Sequence, residues 1–130
     1  MNNDINRFLF TDKTLGNVVY PLSATFNTNG EFETIVGYTN NNTNPQTYPI
    51  SKLNCVSHYI QIPRIGKIYP GDIIKLHSTD ENEYTLDFGW YVTNEGLDLY
   101  GWYLHTMNVI KPFYQSYIDT LEVVKFRVNK

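Results

Sequence analysis

The chain contains only one cysteine, Cys55, among its 130 residues. An intramolecular disulfide is therefore impossible, and the Cys-x-x-Cys spacing of many zinc and redox sites is absent. We interpret Cys55 as a buried thiol in a strand rather than as a reactive nucleophile.

Long apolar runs are also missing. No stretch approaches the roughly 20 apolar residues of a membrane-spanning helix. Residues 1–4 are polar and lack the apolar stretch of a signal peptide. We expect no membrane association and a cytoplasmic, reducing location from these features.

Charge is scarce and slightly negative. The formal net charge is −3, and charged residues make up 18% of the chain. This balance excludes a strongly basic nucleic-acid-binding protein, because such proteins need a positive surface to meet the phosphates. It leaves open a local basic patch.

Catalytic and metal-binding motifs are absent. The chain has no glycine-rich phosphate loop before a helix and no Gly-x-Ser-x-Gly sequence. Its three histidines, His58, His77 and His105, are scattered without the spacing of zinc ligands. We therefore expect no enzyme activity, no metal and no cofactor. A small ligand held inside a barrel remains an open alternative without a supporting motif.

The chain is rich in strand-forming residues. Aromatic residues make up 15% of it, including 11 tyrosines, and such residues favour half-buried pleated surfaces. Short apolar segments alternate with turn residues, and no long amphipathic helix appears. We predict one domain over residues 1–130 that is all-β or mostly β. The expected architecture is a small barrel or a strongly curved antiparallel sheet of about six to eight strands.

Four local features refine this prediction. The turn residues 27–30 predict a hairpin that joins residues 23–26 to a second arm at residues 32–38, and a separate strand at residues 18–20 is expected to end at Pro21. Residues 39–47 are polar and predict an exposed connecting loop, with a functional loop as the alternative. At most one short helix is expected, near residues 112–117, with Pro112 at its first position. Residues 121–128 predict a closing strand.

One segment repeats itself. The pattern Gly-Trp-Tyr-apolar occurs at residues 89–92 and 101–104, and the turn signal Asn94-Glu95-Gly96 lies between. This predicts a long hairpin in which Gly89 lies opposite Gly101, as a point of kinking or of close approach. In that register the following pairs face each other: Phe88 with Trp102, Trp90 with Tyr100, and Leu86 with Leu104.

The hairpin supplies the first candidate for function. Tyr91 and Tyr103 fall on the face opposite Trp90 and Trp102, so both faces are apolar. Either residues 107–117 cover the second face, or it binds a partner. Because tyrosine and tryptophan are favoured interface anchors, we predict a non-enzymatic protein-interaction module. Its predicted contacts are Tyr91, Trp102 and Tyr103, and self-association through the hairpin edge is a further possibility.

Nucleic-acid binding is the alternative function. Arg64, Lys67 and Lys75 flank the turn at Pro70-Gly71 and would form a local basic groove beside it. These residues predict a tight turn with Pro70 at its first central position and Gly71, with positive φ, at its second. Asp72 is expected to hydrogen-bond back to the turn backbone.

Residues 66–75, Gly-Lys-Ile-Tyr-Pro-Gly-Asp-Ile-Ile-Lys, resemble the core sequence of the YopX family of small phage and prophage proteins. Residues 7–12 and 121–124 resemble the opening and closing strands of that family. The resemblance implies phage origin and a β-barrel-like fold, and it carries over no activity. We expect the interaction module to be encoded by a phage or mobile element and to act on a host protein.

Overall fold

The computed structural model describes residues 2–127. Backbone contacts group the chain into two compact units, residues 1–57 and residues 58–130. The described part contains twelve β-strands and three short 3₁₀ helices, which confirms the mostly β prediction and exceeds the six to eight strands expected. That the whole chain forms one domain stays a prediction.

The first unit is a five-stranded antiparallel sheet. Its strands are β1 (Phe8–Asp12), β2 (Val18–Phe26), β3 (Phe32–Thr39), β4 (Asn42–Pro49) and β5 (Leu53–Ser57). They lie in the order β4-β3-β2-β1-β5, and 3₁₀ helices occupy Asn2–Arg7 and Ile50–Lys52. The core of this unit consists of the following buried side chains: Ile5, Phe10, Val19, Ile35 and Leu53.

The predicted hairpin between β2 and β3 is confirmed. Asn27 closes its turn, because its side-chain oxygen accepts hydrogen bonds from the backbone N–H groups of Asn29 and Glu31. The predicted break at Pro21 is wrong: β2 continues through Pro21, and the register shifts between Pro21 and Ser23. A bulge accommodates proline within a strand, since it interrupts the ladder that proline cannot join.

The predicted loop at residues 39–47 is also wrong. Residues Asn42–Pro49 form β4, which pairs with β3 in the order Thr39 opposite Asn42 to Thr34 opposite Pro49. β4 is an edge strand of the sheet and is mostly exposed. Polar residues and prolines such as Pro45 are tolerated at an edge, where one side of the strand meets water, so composition alone concealed this strand.

The second unit contains two sheets. A small sheet pairs β6 (Ile60–Ile62) with β7 (Gly66–Ile68). The larger sheet has the order β11-β10-β9-β8-β12 and consists of β8 (Ile73–Lys75), β9 (Tyr84–Val92), β10 (Asp98–His105), β11 (Ile110–Pro112) and β12 (Glu122–Lys125). The core of this unit comprises Ile62, Ile68, Ile74, Leu76, Tyr84, Leu86, Leu104 and Leu121.

The barrel alternative is wrong for the described part of the chain, where each sheet is open and none closes on itself. The short helix is confirmed as a 3₁₀ helix at Gln115–Asp119. Pro112 ends β11 instead of beginning that helix. The closing strand appears as β12, and Val128, its predicted end, lies outside the described residues.

The turn before β8 has the predicted geometry. Gly71 has a φ of 97°, and the Asp72 N–H donates to the Tyr69 carbonyl at 3.1 Å. The Asp72 carboxylate accepts a hydrogen bond from the Tyr69 N–H at 2.8 Å and another from the Arg127 N–H at 2.8 Å. Asp72 is 1% exposed. One buried carboxylate therefore joins this turn to the residues that follow β12.

Candidate functional site

The β9–β10 hairpin has the register that the sequence predicted. Gly89 pairs with Gly101, Phe88 with Trp102, and Trp90 with Tyr100. Both glycines have positive φ, 142° and 145°, a conformation that residues with a side chain rarely adopt. A Cβ on Gly101 would meet no atom within 4 Å. Backbone conformation, not close approach of another element, therefore requires glycine at Gly101.

The hairpin tip is closed by a compact hydrogen-bonded loop. The Thr93 N–H donates to the Leu97 carbonyl at 2.9 Å, and the Leu97 N–H donates to the Thr93 hydroxyl at 3.1 Å. The Asn94 side chain accepts from the Ile110 N–H at 2.7 Å and donates to the Asn108 carbonyl at 2.9 Å. The tip is thus tied to the segment that leads into β11.

One face of the hairpin runs from the core to the surface. Leu86 and Leu104 are fully buried, and Trp102 packs against the core. Further along the same face, Trp90 is 47% exposed and Val92 is 50% exposed. The buried end anchors the hairpin, whereas the tip end presents apolar side chains to solvent.

Aromatic rings form a continuous ladder along this face. The ring centroids of Trp90 and Tyr100 are 4.7 Å apart, and those of Phe88 and Tyr100 are 5.3 Å apart. Phe88 also contacts Trp102 at 5.1 Å in an edge-to-face arrangement, and His58 stacks on Phe88 at 3.7 Å. Such pairs stabilise one arrangement of the rings, so Trp90 is held in place although half of it is exposed.

The opposite face carries a tyrosine stack and an acid–base pair. Tyr91 and Tyr103 stack at 4.4 Å, and Nε2 of His105 lies 3.3 Å from Oδ2 of Asp87. Tyr91 is 8% exposed, and burial, followed by the charge of Tyr114, raises the pKa of its phenol. Tyr91 is therefore covered, with the ring of Tyr103 stacked on it.

The three predicted partner contacts do not share one surface. Trp102 lies on the first face and packs inward, whereas Tyr91 and Tyr103 lie stacked on the second face. No finding tests their role, which stays a prediction. Of the segment expected to cover the second face, residues 110–112 extend the sheet as β11 beside β10, and Tyr114 lies close enough to Tyr91 to raise the pKa of its phenol.

The sequence did not predict that the first face is exposed at Trp90 and Val92. Alternation placed Trp90 and Val92 on the same face as Leu86, but it does not show where a face leaves the core. The charged residues near the tip indicate this exposure, because Asp98 pairs directly with Val92 and Glu95 lies in the loop. The Asp87–His105 pair also follows from the predicted register, which brings the two residues onto neighbouring positions of one face.

The three basic residues of the alternative site are engaged within their own unit. Nη2 of Arg64 donates a hydrogen bond to the Ile118 carbonyl at 2.8 Å. The Lys67 ammonium lies 4.5 Å from the centre of the Tyr59 ring, and the Lys75 ammonium donates to the Ser78 carbonyl at 3.2 Å. Each contact directs the charged group toward the protein, although none prevents an additional phosphate contact.

Cys55 lies in β5, a strand as predicted, but it is exposed, so the expectation of a buried thiol is wrong. Partial burial of its sulfur still raises the pKa of the thiol.

Among residues 2–127, no three His, Cys, Asp or Glu side chains are grouped closely enough to hold a metal ion. Within the same range, no helix has the length and apolar character needed to cross a membrane.

Comparison of the chain with protein-family models, with curated proteins and with solved structures gave no match. The resemblance of residues 66–75 to the YopX family, and the phage origin that it implies, therefore stay predictions.

Proposed function

We propose that this protein is a non-enzymatic interaction module that binds a partner protein through the exposed end of the aromatic hairpin. The contact surface is the hairpin patch, defined as Trp90, Val92 and Tyr100. The observation that carries the proposal is the half-exposed Trp90 at the end of an ordered aromatic ladder. The resemblance to phage proteins favours a host protein as the partner.

The patch has the physical properties of a binding hot spot. A tryptophan side chain buries roughly 150–250 Å² when covered, so the exposed half of Trp90 offers about 100 Å². At about 25 cal/mol per Å², covering that area contributes about 2.5 kcal/mol to binding. Because Tyr100 already holds the indole ring, little side-chain entropy is lost when a partner covers it.

The charges around the patch indicate the chemistry of the partner. Glu95 and Asp98 are both exposed at the hairpin tip, and Asp98 lies directly across from Val92. A complementary partner presents an apolar site with basic residues at its rim. The same two carboxylates repel nucleic-acid phosphates, so they favour a protein over a nucleic acid at this patch.

The first experiment is a pull-down from a bacterial lysate with the tagged full-length chain, with and without nuclease. We expect one protein at constant stoichiometry that resists nuclease and is lost with Trp90→Ala. Leu22→Ala is the matched control, because Leu22 is 50% exposed on β2 of the other unit. Capture that is unaffected by Trp90→Ala would refute the hairpin patch as the binding surface.

Nucleic-acid binding at Arg64, Lys67 and Lys75 remains the alternative proposal. It predicts recovered nucleic acid that disappears with nuclease, weakens steeply with added salt and is lost with Lys67→Glu. That result would replace the proposed protein-binding function.

A further inference from the structure

A second candidate binding site lies wholly within residues 1–57 and is independent of the hairpin patch. An open pocket of about 430 Å³ lies between the β1–β2 turn and the β3–β4 turn. This volume falls in the range of small-molecule sites, about 300–1,000 Å³. Its lining includes Asp12, Asn17, Thr39, Asn41, Tyr48 and Lys52.

The walls of the pocket are held by hydrogen bonds. The Asp12 carboxylate accepts from the backbone N–H groups of Leu15 and Asn17, and the Asp12 N–H donates to the Asn17 carbonyl at 3.0 Å. The Lys13 N–H donates to the Lys52 carbonyl at 3.0 Å, which joins the turn to the far wall. A ligand would meet a largely preformed site, which lowers the entropic cost of binding.

Thr39 is the feature that points to a ligand. It is 7% exposed and lines the pocket, yet its hydroxyl makes no hydrogen bond within the described part of the chain. The Thr39 hydroxyl oxygen is accessible from the pocket, so it can donate a hydrogen bond to a ligand or accept one from it. The side chains of Asn17 and Asn41 also make no hydrogen bonds among residues 2–127, and they line the same pocket.

The composition of the lining defines the ligand chemistry. Asp12 and Lys52 both line the pocket and carry opposite charges, so the site carries no net charge. Hydroxyl and amide groups supply both donors and acceptors, and the half-buried Tyr48 supplies an aromatic surface. We infer that this pocket binds a neutral polyhydroxylated ligand, a mono- or disaccharide, with the Thr39 hydroxyl as a direct contact.

The test is a titration of the ¹⁵N-labelled full-length protein with a panel of neutral saccharides, followed by amide chemical shifts. The panel contains glucose, galactose, mannose, N-acetylglucosamine and their common disaccharides. We expect saturable shifts at Asn17, Thr39 and Asn41. Thr39→Val keeps the shape but removes the hydroxyl, and it should weaken binding about three- to tenfold, the value of one net hydrogen bond.

Two controls separate binding from structure. Thr47→Val, an equivalent change at an exposed position of β4 outside the pocket lining, should bind the saccharide like the wild type. Thr39→Val should unfold no more easily than the wild type, because its hydroxyl has no internal partner to lose. No saturable shift with any saccharide would overturn the inference. Equal affinity of Thr39→Val, or shifts with inorganic phosphate alone, would also overturn it.

Discussion

Replacing Asp72 with asparagine should destabilise the second unit more than any other exchange of a carboxylate for an amide in it. The Asp72 carboxylate is 1% exposed, and each of its oxygens accepts one backbone hydrogen bond, from Tyr69 and from Arg127. Asparagine has one acceptor oxygen. Its amide group would face the second N–H as another donor, which leaves a buried polar group unsatisfied.

The magnitude follows from the number of bonds lost. A hydrogen bond to a charged group contributes about 1.5–3 kcal/mol, so Asp72→Asn should lower the free energy of unfolding by about that amount. Asp72→Ala, which removes both bonds, should cost about 3–6 kcal/mol. Domains of this size are stabilised by about 5–15 kcal/mol in total, so the alanine variant approaches unfolding.

The tryptophans make the assay specific. Trp90 and Trp102 are the only two in the chain, and both lie in the second unit. Urea unfolding followed by tryptophan fluorescence therefore reports on the unit that contains Asp72. With a slope of about 1–3 kcal/mol per molar urea, Asp72→Asn should lower the midpoint by about 1 M.

Asp119→Asn provides the control for this prediction. Asp119 is exposed at the end of the 3₁₀ helix, and its exchange should change stability by less than about 0.5 kcal/mol. If Asp72→Asn unfolds at the same urea concentration as Asp119→Asn, the two backbone bonds do not stabilise the fold and the reasoning is refuted.

Three further predictions concern single side chains. Gly101→Ala should lower the free energy of unfolding in urea by about 1–3 kcal/mol, because Gly101 has a φ of 145° that alanine rarely adopts. A loss under about 0.5 kcal/mol would contradict this prediction. Burial raises the pKa of the Cys55 thiol. Its reaction rate with a disulfide reagent should therefore reach half of its maximum at a higher pH in the folded protein than in the urea-unfolded protein. The same half-maximal pH in both states would contradict this prediction. Burial also raises the pKa of Tyr91 above its ordinary 10.0, so the unfolded chain loses this proton first and stability falls as pH rises past that value. Tyr91→Phe should lose less stability than the wild type in unfolding measured at pH 7 and at alkaline pH, and equal losses would count against it.

The hairpin at residues 84–105 was predictable because several signals agreed. Period-two alternation, the Asn94-Glu95-Gly96 turn and the matching Gly89 and Gly101 all specify one register, and the structure has that register. The turn at Asp72 was predictable for a similar reason, since proline, glycine and aspartate each have one favoured place there.

Edge strands and exposure were harder to predict. Six of the eight residues of β4 are asparagine, threonine or proline, and the pairing partner β3, not local propensity, makes it a strand. Alternation places Trp90 on the same face as Leu86 but does not reveal that one is half exposed and the other buried. The pocket at Thr39 depends on residues up to 40 positions apart, from Asp12 to Lys52, so no local pattern indicates it.

The hairpin patch as a protein-binding surface is the central claim, and the affinity of Trp90→Ala for the captured partner tests it most directly. Calorimetric titration should show a loss of at least about 2 kcal/mol, about thirtyfold in Kd, with Leu22→Ala unchanged and little dependence on salt. An affinity of Trp90→Ala equal to that of the wild type would contradict the claim.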